Sequence, residues 1–258
     1  GYTHKEEGEY TIGSAGDRTC LELPQKEIDL IHAISEVNSH TIVVIETGSA
    51  IILESWKEKV AAILMAWYPG MEGGTALAEI LFGSCNPSGK LPISFPHNTT
   101  QLPFFDKDAR EIDYKYYHGY RLMDKRGYTP TYPFGFGLSY TRFGYGDLVL
   151  DKTTLTGNQT LTASIEITNT GTYDGAEVVQ LYIRDLVGSI TRPVKELKGF
   201  QKVFVKAGET KTVTFQITPE DLKFYNYDLV YDWEPGEFAI MVGGNSRDVE
   251  SATVFWDK

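Results

Sequence analysis

The chain has 258 residues, and its 24 Lys and Arg against 35 Asp and Glu give a formal charge of −11. A length of this size accommodates one large or two ordinary domains, and 41% hydrophobic residues are enough for packed cores, which excludes disorder for the chain as a whole. An acidic chain without a Lys/Arg cluster repels phosphate backbones, so we expect no nucleic-acid partner. No apolar run approaches the roughly 20 residues of a membrane helix, so we expect no membrane span.

The first hundred residues combine helical and strand patterns. Between Pro24 and Asn38, apolar residues recur at every third position, which predicts an amphipathic helix. These residues are Ile28, Ile31, Ile34 and Val37. Continuous apolar runs at 41–47 and 61–66 are typical of strands buried on both faces of a parallel sheet. A second helix follows over 75–82, so this order predicts α/β layers.

The rest of the chain is different in character. Between residues 104 and 143 lie about a dozen aromatic residues without a lasting period, which indicates an ordered linker that packs on a surface. From about residue 148, apolar and polar residues alternate in about seven short runs separated by turn signals. This pattern predicts a β-sandwich of immunoglobulin or fibronectin type III shape.

The cysteines and the glycine-rich segment of the chain do not indicate a metal, redox or phosphate site. The chain has two cysteines, Cys20 and Cys85, without metal or redox spacing, and we expect both to pack as small apolar groups. Three glycines between Gly70 and Gly74 precede a helix but lack the spacing of a phosphate-binding loop. Tight packing between strand and helix explains these glycines better than phosphate binding does.

The segment with the most polar chemistry is the acidic loop at residues 5–10, followed by Asp17 and Arg18. It contains Glu7 and Glu9. Carboxyl groups on such a loop supply a general acid or base when burial or a neighbouring carboxylate raises their pKa. On composition alone, a solvated acidic loop explains the same residues.

The order of motifs resembles the C-terminal half of glycoside hydrolase family 3, the β-glucosidase and β-xylosidase group. The resemblance rests on Ala61–Gly70 with Glu72-Gly73-Gly74, Asn86–Pro92, Tyr132–Thr141, Asn169-Thr170-Gly171, Gly175–Tyr182, Arg192-Pro193, Lys195-Glu196-Leu197 and Gly199-Phe200. These motifs are long, keep their order and cover nearly all of the chain.

The resemblance implies an α/β sandwich domain, incomplete at its N-terminus, followed by a fibronectin type III-like β-sandwich. We place the α/β sandwich domain at 1–103, the aromatic-rich linker at 104–143 and the fibronectin type III-like domain at 144–258. The opening Gly1-Tyr2-Thr3-His4 reads like the exit from a strand, so we take the chain to be a piece of something longer.

The resemblance also implies a retaining mechanism, with two carboxyl groups about 5–5.5 Å apart. In this family the nucleophilic Asp sits on an N-terminal (β/α) barrel domain, which this sequence lacks. The acid/base Glu commonly stands in a Glu-Gly pair before an Asp-Arg pair. Glu7-Gly8 with Asp17-Arg18 matches this pattern over a longer gap, so we assign Glu7 as the acid/base residue and keep Glu9 as the alternative.

The expected substrate is a β-glucoside or oligosaccharide, and the expected partner is the barrel chain or domain of the same enzyme. A β-xylosidase or α-arabinofuranosidase, or a non-catalytic carbohydrate-binding or structural module, remains the alternative. The mechanism needs no metal or organic cofactor, since two carboxyl groups suffice for the chemistry. The sequence leaves the compartment and a homo-oligomeric state open.

Overall fold

The computed structural model describes residues 20–106 and 109–258, and they form two compact units. The first, here the α/β unit, comprises the described residues within 1–85, 93–118 and 128–132. The second, here the β-sandwich unit, comprises 86–92, 119–127 and 133–258. The two units thus alternate along the sequence, and the division at residues 103 and 143 stays a prediction about domain boundaries.

The α/β unit contains two helices and a two-stranded parallel sheet. Its elements are α1 (Gln25–Val37), β1 (Ile42–Ile45), β2 (Ala62–Met65) and α2 (Gly73–Leu81), with short 3₁₀ turns at Lys57–Lys59 and Thr99–Gln101. In the sheet, Ile42 lies opposite Ala62 and Ile45 opposite Met65. The predicted order of helix, strand, strand and helix is therefore confirmed.

The apolar positions of α1 do not all face the core. Ile28 and Ile31 are buried, whereas Ile34 is 41% and Val37 87% exposed. A helix has about 3.6 residues per turn, so each step of three residues rotates the position by about 60°. After three such steps, Val37 lies on the side of the helix opposite Ile28. The strict spacing of three predicted the helix correctly but assigned too many residues to its buried face.

The β-sandwich unit is built from eleven strands and two helices. Its helices are α3 (Gly119–Arg126) and α4 (Pro219–Leu222), and its strands are β3 (Phe143–Tyr145), β4 (Val149–Leu150), β5 (Thr154–Thr156), β6 (Leu161–Asn169), β7 (Gly175–Asp185), β8 (Glu196–Val205), β9 (Thr210–Ile217), β10 (Phe224–Tyr225), β11 (Tyr231–Asp232), β12 (Gly236–Gly243) and β13 (Val249–Asp257). One sheet has the order β5-β13-β12-β7-β8. In the other, β6 pairs with β3, β4 and β9.

Strict alternation along β6 explains why these strands form a sandwich. Leu161, Ala163, Ile165 and Ile167 are almost fully buried, and the residues between them are more exposed. Successive side chains of a strand point to opposite faces, so this alternation gives the sheet one apolar face. That face joins the apolar face of the other sheet in a single core, which contains Trp256. The predicted β-sandwich is confirmed.

Helix α3 lies within the aromatic-rich segment, where the sequence showed no helical period. It buries Met123. The Tyr120 ring stacks on Phe134 at 4.7 Å between centroids, and the Arg121 guanidinium lies 3.0 Å from the Glu196 carboxylate. Contacts with residues distant in sequence therefore help to hold this helix.

The expectation that both cysteines pack as small apolar groups is wrong. Cys20 and Cys85 are exposed. Cys85 lies in the turn that ends α2, where Gly83 has a φ of +80° and the Cys85 N–H donates to the Glu79 carbonyl at 3.0 Å. Its backbone thus caps the helix while its side chain stays at the surface.

The helices of the described ranges are all too short or too polar to cross a membrane.

A close approach between Gly135 and Gln180 yields a stability prediction. Gln180 Nε2 donates to the carbonyls of Gly135 and Gly244 at 3.1 and 2.7 Å, and the Tyr182 hydroxyl donates to Gln180 Oε1 at 2.6 Å. Gly135 has a φ of +79°, and a Cβ there would lie 2.1 Å from Gln180 Oε1. We expect Gly135→Ala to lower the free energy of unfolding by about 3 to 5 kcal/mol, because it adds the loss of buried hydrogen bonds to the backbone strain.

The matched control for this prediction is Gly208→Ala. Gly208 has a similar φ of +74° and open space around the position of a Cβ. Only the strain of a left-handed backbone remains there, so we expect a loss of about 1 to 2 kcal/mol. Urea unfolding followed by tryptophan fluorescence measures both variants. Equal losses would show that Gln180 moves aside without cost.

Candidate functional site

The predicted acid/base residues Glu7 and Glu9, together with Asp17 and Arg18, lie outside the described residues. The described chain begins just after them, and Glu22 forms a parallel bridge with Ile52. The Ile52 N–H donates to the Leu21 carbonyl at 2.8 Å. The residues that follow the acidic loop therefore pair with the α/β unit.

The carboxyl ends of β1 and β2 form the candidate functional edge of this unit. Ligands of α/β proteins commonly bind at the carboxyl ends of parallel strands. Thr47 follows β1 and is 1% exposed, while Tyr68 follows β2 and is 62% exposed. Trp67 has a φ of +56°, a left-handed conformation that is strained for an aromatic residue and is often found at functional sites. We take the loop at 66–72 as the candidate functional loop.

The sequence predicted that the glycines between Gly70 and Gly74 serve tight packing, and the structure confirms this for Gly73 but not for Gly70 or Gly74, where a Cβ would have no atom within 4 Å. A Cβ on Gly73 would lie 2.6 Å from Pro69 Cγ, so only glycine lets the loop close on the first turn of α2. Gly70 has a φ of +71°. Glu72 stands at the N-terminus of α2 and accepts a hydrogen bond from the Thr75 hydroxyl at 3.2 Å. A carboxylate at a helix N-terminus repels a second anion, which argues against phosphate binding.

Glu54 is a carboxyl group of the α/β unit with three polar partners. It accepts a hydrogen bond from the Thr131 hydroxyl, and its oxygens lie 3.2 Å from His97 Nδ1 and 3.6 Å from Lys57 Nζ. Burial alone would raise the pKa of Glu54, but the Thr131 hydroxyl, the Lys57 ammonium and His97 together lower it. Glu54 is therefore ionised near neutral pH. It cannot donate the proton that a general acid must supply.

The lowered pKa of Glu54 predicts a pH-dependent stability. Its folded-state pKa lies below the ordinary value, so it stabilises the fold above that value and the contribution is lost as the pH falls through the folded-state pKa. The side chains of Glu54 and Lys57 are partly exposed, so we expect Glu54→Gln to cost less than about 1 kcal/mol at pH 7. The difference from wild type should shrink as the pH falls below about 4.5, the ordinary pKa of a glutamate. Urea unfolding at several pH values tests this, with Glu36→Gln on α1 as the exposed control. A cost that does not vary with pH would contradict it.

Two carboxyl groups of the β-sandwich unit have raised pKa values. Burial raises the pKa of Asp124 despite the nearby Lys195, whose ammonium lies 3.7 Å away. Burial also raises the pKa of Asp185, although the Val187 N–H and Arg192 oppose this change. A raised carboxyl pKa can mark a catalytic acid, but structural ion pairs perturb pKa values as well. Since each group faces a cation, we assign both to structure.

A cavity of about 970 Å³ in the β-sandwich unit is lined by Lys90, Tyr145 and Glu177 among others. The Lys90 ammonium lies 3.0 Å from Glu177 Oε1, and the Tyr145 hydroxyl donates to the same oxygen at 2.8 Å. Burial and the Glu177 charge raise the pKa of Tyr145, so its phenol stays a donor. These three side chains satisfy one another, and we assign the cluster to stability.

Asn86, from one of the resemblance motifs, joins three separate segments of the β-sandwich unit. Its Oδ1 accepts hydrogen bonds from the Ser139 hydroxyl and the Tyr140 N–H, both at 2.8 Å. Its Nδ2 donates to the Asp174 carbonyl at 2.9 Å. The motif residue is therefore a structural bridge.

Asn169, from the Asn-Thr-Gly motif, has the same role. Its Oδ1 accepts hydrogen bonds from the Thr141 hydroxyl at 2.5 Å and the Gly171 N–H at 3.1 Å. Its Nδ2 donates to the carbonyls of Tyr173 and Val205 at 2.8 and 3.0 Å. Sequence reasoning treated these motifs only as marks of resemblance, and nothing local in the sequence shows their partners.

Within the described ranges, no group of three or more His, Cys, Asp or Glu side chains is placed to hold a metal ion.

Two family models match the chain. Residues 2–140 match the glycosyl hydrolase family 3 C-terminal domain, and residues 177–246 match a fibronectin type III-like domain. The chain belongs to glycoside hydrolase family 3. The fold expected from the sequence, an α/β sandwich domain followed by a fibronectin type III-like β-sandwich, is confirmed.

The curated relatives are glycosidases about three times as long. The chain is 44% identical over 241 residues to thermostable beta-glucosidase B of Acetivibrio thermocellus, covering 90% of this chain and 32% of that protein. It is 42% identical over 254 residues to a beta-xylosidase of Formosa agariphila, covering 98% and 34%. The chain thus spans about a third of the length of the curated relatives it matches.

Solved structures of beta-glucosidases also resemble this chain. The beta-D-glucoside glucohydrolase of Trichoderma reesei matches with a TM-score of 0.88 and 32% identity, over 97% of this chain and 38% of that chain. A beta-glucosidase of Listeria innocua in complex with glucose matches with a TM-score of 0.81 and 33% identity, over 95% and 35%.

Proposed function

We propose that this chain is the C-terminal part of a retaining β-glucosidase that removes terminal non-reducing β-D-glucosyl residues. The observation that carries the proposal is the similarity to beta-glucosidases over 90% or more of the chain, in sequence and in structure. Membership of a glycoside hydrolase family supports hydrolysis of a glycosidic bond. The choice of glucose rests on the names of these relatives.

In this proposal the chain supplies one of two catalytic carboxyl groups. Glu7 donates its proton to the glycosidic oxygen while the bond from that oxygen to the anomeric carbon breaks. A carboxylate on the barrel domain forms a bond to the same carbon and gives a covalent intermediate. Glu7, now ionised, then takes a proton from the water that releases the sugar. Glu9 is the alternative acid/base residue.

Two features of the described α/β unit support the proposed function. The ionised state of Glu54 removes it as a general acid, so it does not compete with the acidic loop for the role. The candidate functional loop at 66–72 presents the aromatic residues Trp67 and Tyr68, whose ring faces suit the C–H face of a pyranose. We propose that this loop contacts the sugar or its leaving group.

A β-xylosidase is the second candidate, and the match to the beta-xylosidase of Formosa agariphila over 98% of the chain favours it. An α-arabinofuranosidase belongs to the same alternative. A non-catalytic carbohydrate-binding or structural module is the remaining candidate, since the chain alone holds no nucleophile in this proposal.

The experiment compares the 258-residue chain with the same chain complemented by its barrel domain. We expect almost no hydrolysis of 4-nitrophenyl β-glucoside by the chain alone and restored turnover after complementation. Parallel assays on the β-xyloside and the α-arabinofuranoside distinguish the sugar. Full activity of the chain alone would overturn the division of carboxyl groups, and faster turnover of the xyloside would favour the β-xylosidase.

A further inference from the structure

A tyrosine-rich hairpin of the β-sandwich unit presents apolar surface to solvent. Its strands β10 and β11 pair antiparallel, with Tyr225 opposite Tyr231 and their ring centroids 5.0 Å apart. Residues 224–232 are here called the tyrosine hairpin. Its exposed apolar side chains are Tyr225 (63%), Tyr227 (85%), Leu229 (79%), Val230 (52%) and Tyr231 (52%). Contiguous apolar surface of this kind marks a site of interaction.

The tip of the tyrosine hairpin is held by hydrogen bonds of the Asn226 side chain and backbone. Asn226 Oδ1 accepts hydrogen bonds from the N–H groups of Asp228 and Val230, both at 3.0 Å. The Asn226 N–H donates to the Val230 carbonyl, and the Leu229 N–H donates to the Asn226 carbonyl, again at 3.0 Å. Leu229 has a φ of +59°, a strained conformation that these bonds maintain. The exposed rings therefore sit on a preorganised turn, which lowers the entropy cost of binding.

The base of the hairpin is anchored and nearly neutral. Phe224 is buried, with the Arg192 guanidinium 4.2 Å from its ring centroid. The Lys223 ammonium lies 2.6 Å from the Glu220 carboxylate, and the Lys258 ammonium lies 2.5 Å from the Asp232 carboxylate. These pairs cancel the charges at the base of the hairpin, although the chain as a whole carries a formal charge of −11. The exposed Asp228 leaves one carboxylate at the tip, so this surface disfavours an anionic ligand and offers a hydrogen-bond acceptor to an uncharged polar one.

We propose that the tyrosine hairpin is a sugar-binding surface that takes a neutral β-linked glucan chain. Phenol rings offer apolar faces to the C–H faces of pyranose rings, and their hydroxyls exchange hydrogen bonds with sugar hydroxyls. The choice of a glucan rests on the proposed β-glucosidase function.

The test is a titration of the 258-residue chain with cellohexaose by isothermal calorimetry. We expect Tyr227→Ala to weaken binding about 3- to 10-fold and the double variant Tyr225→Ala/Tyr231→Ala to weaken it further. The control is Tyr173→Ala, because Tyr173 belongs to the same unit and is 62% exposed but lies outside the hairpin. This control should bind like wild type. Far-UV circular dichroism verifies that each variant is folded.

Three outcomes would overturn the proposal. They are absence of cellohexaose binding by the wild-type chain, equal weakening in Tyr173→Ala, and self-association that Tyr227→Ala abolishes, which would assign the hairpin to a second copy of the chain. Tighter binding of xylohexaose would overturn the choice of a glucan. Because calorimetry needs no turnover, hairpin binding can succeed while the complemented enzyme fails to hydrolyse β-glucosides, and the reverse also holds.

Discussion

Glu7→Gln in the barrel-complemented enzyme is expected to lower kcat/KM about 10²- to 10⁴-fold on aryl β-glucosides with poor leaving groups. The amide cannot protonate the departing oxygen, so the loss grows as the leaving group becomes more basic. With a 2,4-dinitrophenyl leaving group, which needs no proton, kcat/KM should change little. The measurement is a series of aryl β-glucosides of graded leaving-group pKa, assayed with wild type and variant.

The neighbouring glutamates are the controls for this prediction. Glu6→Gln removes an adjacent carboxylate from the same acidic loop and should leave the leaving-group dependence as in wild type. If Glu9→Gln shows the large loss and Glu7→Gln does not, Glu9 is the acid/base residue. If neither variant shows it, the acid lies elsewhere and the assignment to this loop fails.

Glu177→Ala is expected to lower the free energy of unfolding by about 3 to 5 kcal/mol. The variant leaves the Lys90 ammonium, whose side chain is 14% exposed, without the carboxylate that lies 3.0 Å from it. It also removes the acceptor of the Tyr145 hydroxyl. Urea unfolding followed by circular dichroism measures the loss.

Two further variants make this result interpretable. Glu166→Ala removes an exposed carboxylate from β6 and should change the stability by no more than about 0.5 kcal/mol. The double variant Lys90→Met/Glu177→Leu removes both charges of the buried pair. We therefore expect it to be more stable than Glu177→Ala, which leaves the Lys90 charge buried without its partner. If the double variant were the less stable of the two, the shape of the ion pair would matter more than its charge.

The candidate site was predictable only in part. The glycines between Gly70 and Gly74 predicted tight packing between strand and helix, and this is confirmed at Gly73, where a Cβ would lie 2.6 Å from Pro69 Cγ. The strain at Trp67 was not predictable, because a backbone conformation depends on what packs around it. The roles of Glu7 and Glu9 rest on the sequence pattern and stay predictions.

By itself, the sequence determined the class of the long strands of the sandwich and of α1, α2, β1 and β2, but not of α3. The period of two in β6 predicts a half-buried strand, because successive side chains point to opposite faces. The continuous apolar runs of β1 and β2 predict a parallel pair, which is confirmed. The expectation that both faces of this pair are buried is wrong, since Ile42 is 48% and Val44 39% exposed.

The tertiary structure decided what joins distant residues. Lys90 and Glu177 are 87 residues apart, and α3 is held by partners that no local pattern reveals. It also decided which apolar residues stay outside, as with Val37 on α1 and the tyrosines of the hairpin. A local period specifies a face of an element, but whether that face is covered depends on what the rest of the chain places against it.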